Sequence, residues 1–350
     1  MAHPPNELPA DLLKDVSRSF YRTLRVLPAK IRTQIGLAYL LARTTDTIAD
    51  TELVPLERRL AALQALRDRI SGAKEAPLDF SDLAGQQASL PERALLEKCE
   101  ASLALLQTVG PADLQLVREV LSTITSGQEL DLRRFAGASA QRVVALQKGE
   151  ELDDYTYRVA GCVGEFWTKM CRAHLFPQAA LDDAFLLANG MRFGKGLQLV
   201  NILRDLPADL RQGRCYLPEQ KLAALALSPQ KLLEPANEPR VRPLYNEWLD
   251  RAEGHLICGW AYTNALPRRS VRVRLACAWP ILLGLETIKL LRMGNVLDPR
   301  QRIKVSRRRF RQIRVRSTLL YPWPNVWRGL APVAEGLRPG KAVAPGLVLP

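Results

Sequence analysis

Asp46 and Asp50 in TTDTIADTE, and Asp205 and Asp209 in NILRDLPADL, are two acid pairs spaced i, i+4, about 160 residues apart. On an α-helix that spacing sets both carboxylates of a pair on one face, a turn apart. Each pair follows an apolar stretch, GLAYLLARTTDTIAD in the first case and GLQLVNILRD in the second. Two such helices facing one another would hold four carboxylates around a shared space. Mg²⁺ is a hard cation that takes oxygen ligands and shares them with substrate phosphates, so the pattern points to chemistry on a diphosphate.

The polar stripe extends beyond the acids. Tyr39, Arg43, Asp46 and Asp50 fall at i, i+4, i+7 and i+11, one continuous helical face. Gly194, Gln198, Asn201, Asp205 and Asp209 repeat the arrangement on the second segment. The other positions are nearly all apolar: Leu37, Leu40, Leu41 and Ile48 on one helix, Leu197, Leu199, Val200, Ile202 and Leu203 on the other. A helix apolar almost all round is a buried one, so its polar stripe is expected to line a cavity. Charge placed there is costly unless cations compensate it.

Composition and periodicity give the frame that must position these stripes. Residues of helical period dominate from Leu12 to about Arg292, with no sustained strand alternation and no Asn-Gly hairpin signal, so the class is all-α. The six cysteines are widely spaced, with no CxxC and three histidines in the chain, which argues against structural zinc or a disulfide framework and fits a reducing cytosol. The N-terminus, MAHPPNELPADLLKD, has no apolar signal-peptide core. Leu275–Leu291 is the most apolar run, but it is short and contains Pro280, Glu286 and Lys289, so it reads as a core helix. The net charge of +14 is concentrated at Arg300–Arg316, nine cations in seventeen residues with no acid. Aromatics are sparse in that block and no nucleic-acid motif frames it, so the expected partner is an anionic membrane surface and not a nucleic acid. The expectation is a cytoplasmic protein held peripherally at membrane, with no obligate protein partner.

Along the chain, residues 1–9 are expected to be disordered. A single helical domain with a central cavity is expected over 10–310, and a basic and then Pro/Gly-rich tail over 311–350. Helices are expected at Ala10–Phe20, up to Asp50, at Pro55–Ile70, Glu92–Gln107, Pro111–Gly137, Leu152–Leu175, through the second acid segment, and at Leu244–Leu266 and Val271–Arg292. Ser71–Pro91 reads as a loop and Pro229–Pro243 as a linker. Ala160, Gly161 and Gly164 would let a neighbouring backbone approach closely.

Four motifs occur in the order and spacing of the squalene and phytoene synthases: SRSF at Ser17–Phe20, YLLARTTDTIAD at Tyr39–Asp50, YTYRVAG at Tyr155–Gly161 and LQLVNILRDLPADLRQGRCYLP at Leu197–Pro218. The chain resembles that family over roughly residues 10 to 310. The resemblance implies an isoprenoid synthase helical bundle and head-to-head (1'-1) condensation of two prenyl diphosphates. Within the family Asp46-Thr47 looks more like squalene synthase, where phytoene synthases usually carry a second Asp. The implied enzyme joins two farnesyl diphosphates through presqualene diphosphate and reduces it with NADPH to squalene. The residues implied are Asp46, Asp50, Asp205 and Asp209 for Mg²⁺, and Arg18, Tyr39, Arg43, Gln198, Asn201, Arg204 and Arg214 for substrate. Tyr155 is implied in diphosphate departure, alongside Arg43 and the four aspartates as the catalytic set.

Two departures bear on these roles. Pro207 lies between the acids of the second pair, and proline disfavours helix at the preceding residue, so Asp209 is expected to stray from regular geometry. No GxGxxG follows a strand, so NADPH use rests on the resemblance, with Arg204, Lys304, Arg307 and Arg308 as phosphate-binding candidates by charge. Synthesis of phytoene, dehydrosqualene or presqualene diphosphate without reduction is the alternative. A synthase-like assembly factor is the non-enzymatic alternative, and retention of all four aspartates argues against it.

Overall fold

The computed structural model describes residues 10–17 and 20–332. The expected disorder of residues 1–9, the substrate role of Arg18, and the Pro/Gly-rich segment after Pro332 therefore lie outside the described residues. Two compact units make up the chain, Met1–Arg133 with Lys169–Pro177, and Arg134–Thr168 with Gln178–Pro350. The fold is all-α. Among the described residues the β structure is a two-residue parallel pair, Val144–Ala145 beside Arg214–Cys215, and one isolated bridge.

The first unit contains α1 (Ala10–Ser17), α2 (Phe20–Val26), α3 (Ala29–Asp50), α4 (Leu56–Ser71), α5 (Ser81–Gly85), α6 (Leu90–Glu97), α7 (Cys99–Leu106) and nearly all of α8 (Pro111–Arg134). The expected Ser71–Pro91 loop thus carries a short helix, α5. Helix α3 is central: α1, α2, α4, α6 and α7 all pack on it. Its burial follows from its sequence, since Ile31, Ile35, Leu37, Leu40, Leu41 and Ile48 occupy most of the circumference and are each at most 5% exposed. Burying side chains of this size stabilises by roughly 1.5–3 kcal/mol each. Three threonines inside it are also buried, and each hydroxyl donates to a carbonyl one turn back: Thr44 to Leu40, Thr45 to Ala42 and Thr47 to Arg43, at 2.7–2.9 Å. Their polarity is thus absorbed within the helix.

The second unit contains α9 (Gly149–Thr156), a π-helical turn at Tyr157–Gly161, the Cys162–Thr168 part of α10 (Cys162–His174), α11 (Asp183–Arg211), α12 (Glu219–Ala224), α13 (Glu238–Ala265), α14 (Val271–Met293), α15 (Arg307–Leu320) and α16 (Pro324–Arg328). Asp182 caps α11, its carboxylate accepting from the Phe185 amide at 2.9 Å. The segment expected as a linker is shorter than its composition suggests: two 3-10 turns occupy Pro229–Leu233 and Pro235–Asn237, and α13 already begins at Glu238. Helix α13 carries Pro239 in its first turn and Pro243 one turn further inside, and it runs unbroken to Ala265. The apolar run at Leu275–Leu291 is the core helix α14, largely buried. No helix among the described residues is long and apolar enough to cross a membrane. Folded structure also continues beyond residue 310, since α16 buries Trp327 to 2% exposure against Trp260. All six cysteines are buried as thiols outside any disulfide.

Small residues let two backbones meet inside this unit. An added Cβ at Gly164 would lie 1.8 Å from the Gly190 carbonyl oxygen, and one at Gly194 2.1 Å from that of Ala160. The close approach expected around Ala160 and Gly164 is therefore real, and its partner is α11. The π-helical turn lies at this crossing, where an extra residue per turn redirects the following side chains.

Candidate active site

The first acid stripe is the accessible face of α3. Tyr39, Arg43 and Asp46 are half-buried and Asp50 is exposed, while the intervening positions are mostly buried. The Tyr39 hydroxyl is 3.4 Å from the Val16 carbonyl. Arg43 is held between two acids, with Nη2 on Glu92 Oε1 at 2.6 Å and Nη1 3.6 Å from Asp46 Oδ2. Burial alone would lower the Arg43 pKa, but Asp46, Glu92 and Asp50 together outweigh it and keep the guanidinium charged.

Asp46 has the opposite problem. Burial first, and the neighbouring Asp50 second, push its pKa up to about 6, against the opposing pull of Arg43 and Gln128. The Gln128 amide on α8 donates to Asp46 Oδ1. Solvent still reaches 45% of the Asp46 side chain, so water screens part of the repulsion. Two carboxylates a turn apart, one held above its ordinary pKa, make an oxygen donor set short of positive charge. A hard divalent cation fits such a set.

The second stripe is the accessible face of α11. Asn201 and Asp205 are exposed and Gln198 and Asp209 half-buried, between Leu199, Val200, Ile202, Leu203, Leu206 and Leu210, all at most 5% exposed. The expected irregularity at Pro207 does not occur, because α11 runs unbroken from Asp183 to Arg211. Its physical reason is visible. Proline supplies no amide to the carbonyl four residues back, Leu203, and the buried Tyr245 hydroxyl of α13 donates to that oxygen instead, at 2.9 Å. Asp209 therefore sits one regular helical turn beyond Asp205.

Arg204 is not a free cation. Its guanidinium makes two bonds to Asp205, at 2.9 and 2.5 Å, and these raise its pKa. Tyr155 on α9 stacks on Tyr216, with centroids 5.1 Å apart and planes at 21°, and Phe135 meets Tyr216 edge-on at 5.2 Å. Arg214 lies on the short strand before Tyr216, paired in register with Val144. Gly213 makes that turn with φ +82°, where an added Cβ would lie 2.2 Å from the Ser139 amide nitrogen. Lys304, three residues before α15, and Arg307 and Arg308 in its first turn are exposed. They offer charge to a nucleotide phosphate, and Arg308 also lines a groove whose walls mix apolar side chains with charged ones.

Tyr39, Arg43, Asp46 and Asp50 thus belong to the first unit, and Tyr155, Gln198, Asn201, Arg204, Asp205, Asp209 and Arg214 to the second. Among the described residues no three Asp, Glu, His or Cys side chains converge as a ready metal site. Three residues of the site went unread in the sequence. Glu92 and Gln128 carry no motif and act only through contacts distant in sequence. Tyr216 stood within the RCYLP segment, and its signal was an aromatic two residues after Arg214.

Residues 13–309 match the family described as squalene/phytoene synthase. The chain is 29% identical over 252 residues to the bifunctional lycopene cyclase/phytoene synthase of Gibberella fujikuroi, covering 69% of this chain but only 40% of that protein. It is 30% identical over 309 residues to the presqualene diphosphate synthase of Sinorhizobium fredii, covering 86% of this chain and 93% of that one. The solved structure of TcSQS with the ligand E5700 superposes with a TM-score of 0.72 at 20% identity, covering 91% of this chain and 89% of that one. That likeness shows the fold.

Proposed function

This chain belongs to the squalene/phytoene synthase family, and we propose that it joins two farnesyl diphosphates head to head to give presqualene diphosphate. The observation that carries this reading is the α3 stripe, where Asp46 and Asp50 share an accessible face with a guanidinium already oriented by Glu92. The near end-to-end similarity to a presqualene diphosphate synthase supports the same product. All four aspartates are present, which favours an enzyme over an assembly factor.

In the reaction one farnesyl C1–O bond breaks and diphosphate departs. The double bond of the second chain supplies the electrons that close a cyclopropane, and one proton is released. Two substrates thus become one presqualene diphosphate, one diphosphate and one proton. Magnesium held by Asp46, Asp50, Asp205 and Asp209 would neutralise the diphosphate charge. Arg43 directs N–H donors at phosphate oxygens, a charge-assisted contact stronger than a neutral one. Gln128 holds Asp46 in orientation through its amide. Tyr155, pinned by its stack on Tyr216, offers a hydroxyl of fixed direction to the departing group. An allylic cation formed there would need shielding from water, which would otherwise capture it.

A second reading continues to squalene by NADPH reduction, and the observation favouring it is Thr47 after Asp46. Incubation of purified protein with farnesyl diphosphate and Mg²⁺, with and without NADPH, separates the two. Presqualene diphosphate in both arms supports the first reading, and squalene in the NADPH arm alone the second. No head-to-head product in either arm removes both.

A further inference from the structure

A groove of about 940 Å³ lies in the second unit beside α14 and α15. Its walls are apolar, including Leu282, Leu285, Ile313, Leu320 and Leu330. Five cations also line it, Lys289, Arg308, Arg309, Arg311 and Arg316, all exposed. Two acids line it as well, and both are already neutralised, Glu286 by Arg309 at 2.8 Å and Glu253 by Arg292 at 2.8 Å. Among the described residues no carboxylate pairs with Arg308, Arg311 or Arg316. The groove therefore combines an apolar interior with uncompensated positive charge.

Helix α15 points the same way. In its 14 residues only Ser317 is buried, an unusually thin inner face for a packed helix. Arg314 is held inward over the rings of Trp279 and Phe310, at 5.1 and 5.9 Å. Outward it presents Val315 at 49% and Leu319 at 64% exposure among its arginines, followed by Trp323 at 58% and Val326 at 50%. Cations interspersed with exposed aliphatic and indole groups suit the boundary between headgroups and acyl chains, where long basic side chains reach phosphate while apolar groups enter the lipid. A nucleic acid would satisfy the arginines but leave the valine, leucine and groove interior unexplained.

We propose that α15 and this groove form a docking site for an anionic phospholipid membrane, with α15 in the headgroup layer and one acyl chain entering the groove. The contact is peripheral, and it does not depend on the reaction proposed above.

The test uses the full chain without substrate, sedimented with vesicles of phosphatidylcholine alone or mixed with phosphatidylglycerol, at low and high salt. Binding to the mixed vesicles at low salt and release at high salt are expected, because ions shorten the reach of the headgroup charge. At about fivefold per cation near the surface, Arg311→Glu with Arg316→Glu should weaken that binding at least about twentyfold. Val315→Ser with Leu319→Ser should weaken it without changing the salt dependence. Lipids brominated along the acyl chain should quench wild-type tryptophan fluorescence more than that of Trp323→Phe. Helical circular dichroism and product formation in detergent check that each variant is folded, so loss of vesicle binding with retained turnover speaks to this site alone. Equal binding to neutral and mixed vesicles, indifference to salt, or unaltered binding by both double variants would overturn the proposal. So would capture of RNA by this surface with no vesicle binding.

Discussion

Asp46 is a carboxylate that the fold holds at a cost. Its pKa of about 6 exceeds the unfolded value near 3.9. A group shifted in that direction contributes stability below the unfolded pKa, and the contribution is lost as pH rises through the folded pKa. At neutral pH Asp46 is therefore ionised and strained against Asp50, the state in which a bound cation gives most relief. Asp46→Asn should lower turnover at least about a hundredfold, roughly 3 kcal/mol of barrier, while raising the apo melting temperature by about 1–3 °C. Mg²⁺ should raise the melting temperature of the wild type more than that of the variant. Turnover near wild type, or a lower melting temperature, would remove Asp46 from this role.

At the scale of elements, α11 shows how a neighbour repairs a local defect. Pro207 removes the donor for the Leu203 carbonyl, and Tyr245 replaces it. Leaving that carbonyl unpaired in the core costs about 1–3 kcal/mol, which is the destabilisation expected for Tyr245→Phe in urea unfolding. Pro207→Ala restores an amide, so in its background Tyr245→Phe should cost less than half as much. Equal costs in both backgrounds would show that the tyrosine does not substitute for the missing donor.

The helix crossing makes a second prediction at this scale. Gly164→Ala must force the backbone of α10 away from Gly190, since the added Cβ falls 1.8 Å from a carbonyl oxygen. A destabilisation of about 3 kcal/mol or more is expected. Gly254→Ala on α13 meets nothing within 4 Å and should stabilise by up to about 1 kcal/mol through helix propensity. A Gly164→Ala variant no less stable than Gly254→Ala would mean that the crossing does not set the cost.

For the molecule as a whole, stability against acid carries the mark of the half-buried His255. His255 Nδ1 accepts from Arg192 Nε at 3.4 Å, and burial, then Arg192 and Lys195, push its pKa down to about 3. It therefore contributes stability that is complete above the unfolded pKa of about 6.5 and is lost as pH falls toward 3. Between pH 6 and 4 this should cost up to about 1.4 kcal/mol per pH unit, opposite in sign to the Asp46 effect. Chemical denaturation of His255→Gln over that range should show a flatter acid limb, and an unchanged limb would contradict the assignment.

The all-α class, both acid stripes and the glycine crossing were legible in the amino-acid sequence, because helical period and carboxylate spacing are local and a helix converts spacing into a face. Membership of the family was legible for the same reason, its motifs being short runs on single helices. The regular course of α11 was not, since local rules for proline predict a disturbance that only Tyr245, 38 residues beyond Pro207, prevents. Nor were Gln128 behind Asp46, Glu92 behind Arg43, or the groove beside α15. Each depends on which side chain a distant segment brings alongside, and tertiary packing alone decides that.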